Sequence, residues 1–65
     1  METKQAYFDD LNRLLAAMPP GRLDMPRLLA NEERHDHVFY DPPETVHQWL
    51  LDQQRRIQAS QHARV

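Results

Sequence analysis

DPPETVHQWLLDQQRRIQAS, residues 41–60, decides how the chain is read. Two adjacent prolines would break a helix in its interior, but at its start they cost little. The first amide hydrogens of a helix have no intrahelical acceptor, so Pro42 and Pro43 remove nothing that would be used. Asp41 as N-cap, with Glu44 three residues on, has the pattern of a capping box with Asp in the usual Ser or Thr position. Val46, Trp49, Leu50 and Ile57 then recur at helical spacing as an inner stripe, interrupted by Gln53, with Leu51 off the stripe. The stretch therefore predicts a helix over 41–60.

Working outward, HDHVFY (35–40) has little helical signal. Val38, Phe39 and Tyr40 favour strands, but no second segment offers to pair with them. The reading is an ordered connector that pins its apolar residues on the core. Before it, DMPRLLANEER (24–34) predicts a short helix with Asp24 as N-cap and Pro26 in its first turn. Leu28 and Leu29 are its expected anchors, with Met25 one turn earlier. Residues 3–18 predict the first helix. Tyr7, Leu11, Leu14 and Met18 fall at i, i+4, i+7 and i+11, with Phe8 and Leu15 beside them, and Thr3 is a candidate cap. MPPG (18–21) ends that helix.

These elements predict an all-α fold, a small three-helix bundle with two longer helices and one short middle helix. Residues 1–65 are read as a single helical domain with a frayed C-terminal tail at 61–65. Tyr7, Leu11, Leu14, Leu28, Val46, Trp49 and Leu50 are the expected core. A single glycine in the chain argues against an all-β alternative, which would need several positive-φ turns.

Composition narrows the function. A chain of 65 residues has a small core and limited stability. Without cysteine it has neither disulfides nor thiolate zinc sites. The formal net charge of −2 is spread as −1, −1 and 0 over residues 1–18, 19–40 and 41–65, so no segment is a basic arm for phosphate. METKQAYFDD has no basic n-region or apolar h-region, and no apolar run is long enough to span a membrane, so the expected location is cytoplasmic with no membrane partner.

The candidate chemistry is sparse. His35, His37 and His47 could approach a metal, but no i, i+4 histidine pair or HExxH motif is present, and the plainer reading is solvated histidines. Ser60, the only serine, sits near the expected frayed end, and no carboxylate pair is visibly placed to split its pKa values. The expectation is no catalytic residue, no metal and no cofactor. Trp, Tyr and Arg are common interface anchors, and Tyr40, His47, Gln48, Leu51, Arg55 and Arg56 are the candidate partner-binding residues.

PPETVHQWLLDQQRR (42–56) resembles the recognition helix of bacterial helix-turn-helix regulators, in which a PETVxxWL pattern is frequent. That resemblance implies DNA reading by Thr45, His47 and Gln48. Eleven residues, NEERHDHVFYD, separate LLA from PPETV, more than the short turn of that motif, and no glycine lies among them. LAA, MP and PE followed by Trp occur in an order similar to that of the theta subunit of bacterial DNA polymerase III. This second resemblance implies a non-catalytic binder of an exonuclease subunit. The leading expectation is a non-enzymatic helical protein that binds and modulates or inhibits a protein partner, in the manner of phage and mobile-element inhibitors such as anti-CRISPR proteins. A DNA-binding regulator is the alternative, and self-association into a homodimer stays open.

Overall fold

A computed structural model describes residues 4–62, and the candidate cap Thr3 and residues 63–65 lie outside that range. Three helices follow one another: α1 (Lys4–Ala17), α2 (Met25–Arg34) and α3 (Pro43–His62). There is no strand among the described residues. The all-α three-helix architecture, with its short middle helix, is as the sequence implied.

The helix α1 is central. Both other helices pack on it, whereas no Cα of α2 lies within 8 Å of a Cα of α3. The core gathers Tyr7, Leu11, Leu15 and Met18 of the first helix and its end, Leu28 of α2, and Val46 and Leu50 of α3. Its stripe on α1 therefore runs through Leu15 rather than Leu14, which is only partly buried. With partners on two sides, α1 is rotated so that Leu15 takes the central place. In α2 Leu28 is the fully buried anchor and Met25 packs partly buried against the core, whereas Leu29 is exposed.

Trp49 also departs from expectation. It is 41% exposed, while Leu50 beside it is fully buried. One helix face cannot bury both neighbours equally, because adjacent residues point about 100° apart. The inward direction of α3 is set by Val46, Leu50 and Gln54, which lie at i, i+4 and i+8.

Gln54 is 1% exposed and explains how the loop after α1 is held. Its amide nitrogen donates to the carbonyls of Pro19 (3.0 Å), Arg22 (3.2 Å) and Leu15 (3.5 Å). Its oxygen accepts from the Gly21 N–H at 3.1 Å. Gly21 has φ +77°, a conformation that favours glycine. One turn later Gln58 donates to the Met18 carbonyl at 2.8 Å. Two glutamines thus supply donors to carbonyls at the end of α1 and in the loop after it, two of which, Leu15 and Pro19, also accept from the Met18 and Arg22 N–H groups.

At the other loop, α3 begins two residues after the expected start. The Val46 N–H donates to the Pro42 carbonyl at 3.1 Å, which makes Pro42 the capping position rather than Asp41. Asp24 does cap α2, its carboxylate accepting from the Arg27 N–H at 3.4 Å. The C-terminal helix continues through Gln61 to His62.

Candidate partner-binding surface

The connector from α2 to α3 is shaped by the way α2 ends. The His37 N–H donates to the Glu32 carbonyl (2.8 Å) and the Asp36 N–H to that of Glu33 (3.1 Å). With Asp36 at φ 53°, this is a Schellman ending that has Asp where glycine is usual. The reversal turns residues 37–40 back across α1.

Two histidine–carboxylate pairs fix that path. His35 is nearly buried, and its Nε2 lies 2.8 Å from Asp10 of α1. His37 Nδ1 lies 2.6 Å from Glu32 Oε2. A carboxylate only accepts hydrogen bonds, so each ring N–H donates. The other Glu32 oxygen accepts from the Tyr7 hydroxyl. Glu32, 4% exposed, is thus a buried carboxylate with both oxygens occupied. The His37 ring stacks on Tyr7 with centroids 4.3 Å apart and planes at 13°, and Phe8 meets Tyr7 edge-on at 5.0 Å. Burial, followed by the hydrogen bond and charge of Glu32, pushes the Tyr7 phenol above its ordinary range, so it stays a donor. The hydrogen bond with His35 is the main influence holding the Asp10 carboxyl below its usual value. Both loop histidines are therefore structural ties, His35 nearly buried and His37 half-exposed, rather than free solvated side chains. No group of three or more His, Cys, Asp or Glu among the described residues could hold a metal ion.

Above this network lies a hollow of about 310 Å³. All five aromatic residues of the chain line it: Tyr7 and Phe8 from α1, Phe39 and Tyr40 from the connector, and Trp49 from α3. His37, Val38, Val46, Asp41 and Thr45 complete the lining. Only Phe39 of the connector's apolar residues packs on the core, whereas Val38 is exposed and Tyr40 is 93% exposed. The expectation that the connector pins its apolar residues on the core holds for Phe39 alone. Phe8, Val38, Tyr40 and Trp49 form an exposed apolar rim, and a concentration of that kind is a common mark of an interaction site.

The candidate residues fall in several places. Tyr40 lines the hollow. Gln48 borders an adjoining depression with Glu44, Thr45, Trp49 and Asp52, and donates to Asp52 at 3.2 Å. His47 and Arg55 are exposed, Leu51 is half-buried, and none of the three lines either depression. Arg55 lies 3.8 Å from Asp52. Arg56 borders a separate hollow with Asn12, Ile57, Ser60 and Gln61. The sequence does not single out Phe8 or Trp49 as surface aromatics, because Phe8 sits beside the apolar stripe of α1 and Trp49 falls at helical spacing within that of α3. No helix of the described residues is long and apolar enough to cross a membrane.

No protein-family model matches the chain, and no curated protein or solved structure matches it. The helix-turn-helix and theta-subunit resemblances rest on their short strings alone.

Proposed function

We propose that this chain is a non-enzymatic binding protein that docks on a protein partner through the aromatic hollow, and that it modulates or inhibits that partner by occupying its surface. The observation that carries this reading is the convergence of all five aromatics on one open depression, with Tyr40 and Trp49 at its rim. Tyr and Trp supply large contact area at low conformational cost and are enriched among binding hot spots. Steric inhibition, as by phage or mobile-element inhibitors, needs no chemistry beyond such a surface. Thr45 is the only aliphatic hydroxyl in the lining, and neither serine nor lysine joins it. The absence of close packing between α2 and α3 favours a protein partner over DNA, because helix-turn-helix docking depends on the first helix bracing the second.

The test is affinity purification from cells that carry the gene, comparing the wild-type chain with two variants. Loss of the recovered protein with Val38→Ser/Tyr40→Ser, and its retention with His47→Ala/Arg55→Ala, supports the reading. The reverse pattern refutes it, as does salt-sensitive recovery of DNA in place of a protein.

A further inference from the structure

The chemistry of the surface around Trp49 selects the kind of group it receives. The aromatic hollow and its neighbouring depression share Thr45 and Trp49 and so form one continuous surface. Three carboxylates stand along it, those of Asp41, Glu44 and Asp52; Asp52 has Arg55 3.8 Å away, but no lysine or arginine is among the described lining residues, so Asp41 and Glu44 carry the negative character. Nor does His37 on its floor make the site positive. Its ring is tied to the Glu32 carboxylate at 2.6 Å, which places a negative group directly beside it. Asp41 and Glu44 also oppose the partial positive charge at the start of α3.

Aromatic faces carry negative electrostatic potential and attract cations, arginine most often in proteins. A guanidinium adds the planar geometry that stacks on a ring while its N–H groups reach a carboxylate. Tyr40 and Trp49 supply exposed rings, and Asp41 and Glu44 supply acceptors on the same surface. We infer that the occupant of this surface is a basic segment of the partner that presents an arginine between apolar side chains. The inference rests on the proposed docking function and specifies its partner's chemistry. Apolar neighbours of the arginine cover Phe8 and Val38, and the guanidinium lies over the aromatic rim beside Asp41. The overall charge of −2 acts in the same direction by favouring approach of a cationic segment.

Trp49 is the only tryptophan, so its fluorescence reports this surface directly. The whole chain is titrated with three blocked pentapeptides, Leu-Xaa-Leu-Xaa-Leu, in which Xaa is arginine, its neutral isostere citrulline, or glutamate. The arginine peptide should bind saturably and about tenfold more tightly than the citrulline peptide, with affinity falling as salt is raised. The glutamate peptide should give no saturable change. Asp41→Asn/Glu44→Gln should remove most of the difference between arginine and citrulline. Tyr40→Ala, at a position with no core contact to lose, should weaken the arginine peptide about two- to fivefold. Equal affinity for citrulline and arginine peptides overturns the cationic occupant while leaving an apolar docking surface in place. Absence of arginine-peptide binding also overturns it, and the docking function is then judged separately by the Val38→Ser/Tyr40→Ser purification. A dimer of the free protein that dissociates on Arg55→Ala/Arg56→Ala would assign the surface to a second copy and overturn a partner segment.

Discussion

Replacing Gln54 with leucine removes four hydrogen bonds from a side chain that is 1% exposed while keeping most of its volume. The Gly21 N–H and the Pro19 and Arg22 carbonyls belong to exposed residues, so water can recover part of what they lose. The Leu15 carbonyl keeps other donors, the Met18 N–H at 3.3 Å and Gln58 at 3.4 Å. A buried polar group left unmatched costs about 1–3 kcal/mol, and a net hydrogen bond is worth about 0.5–1.5 kcal/mol. With partial rescue by water, Gln54→Leu should lose roughly 2–3 kcal/mol. For a domain this size, whose whole stability is roughly 3–10 kcal/mol, that is a large share. Urea unfolding followed by helical circular dichroism measures it, with the slope checked for an unchanged unfolded state. A loss below about 0.5 kcal/mol would refute the reasoning, because surface substitutions without a structural role fall in that range.

Three further outcomes follow from the same geometry. Asp36→Gly should stabilise the protein by about 1 kcal/mol, since a left-handed residue other than glycine costs about 1–2 kcal/mol, and thermal unfolding should rise by several degrees. Trp49→Ala should cost about 1–2 kcal/mol, below both the ~3–5 kcal/mol of a fully buried aromatic and the cost of Leu50→Ala; chemical denaturation of the two variants compares them. Stability should fall at both ends of the pH range, as urea midpoints from about pH 3 to about pH 11 would show. Asp10 is depressed in the folded state, so its contribution is present above its usual value of 3.8 and is lost as pH falls through the lower folded value. Tyr7 is raised, so its contribution is complete below its usual value of 10.0 and is lost as pH rises beyond it. Tyr7→Phe should remove the alkaline loss.

The helices were legible because apolar residues at helical spacing and the MPPG and DPP punctuation are local signals. What escaped notice is held by distant partners. Gln54 reaches back to the loop after α1, and Glu32 is satisfied by Tyr7, which lies 25 residues before it. In sequence these are ordinary polar residues on helices, and nothing nearby marks them as buried. The pairing of His35 with Asp10 is equally non-local. Trp49 shows the opposite failure. Trp49, Leu50 and Leu51 are three consecutive apolar residues, of which only the central one faces fully inward. A count of apolar positions cannot choose among them, whereas Gln54, one turn beyond Leu50, does so once its loop carbonyls are in place. Tyr40 was legible as an exposed residue, but nothing near Phe8 in the sequence marks it as a second aromatic lining the same hollow.

Site-specific photocrosslinking tests the central claim most directly. A benzophenone amino acid is placed at Tyr40, on the rim of the hollow, or at Arg55, on the outward side of α3, in the full chain within cells that carry the gene. The account predicts a discrete protein adduct from position 40, absent from position 55 and reduced by Asp41→Asn/Glu44→Gln. An adduct from position 55 with none from position 40 would contradict it, because the partner would then be held by the outer face of α3 and the five aromatics would be packing alone.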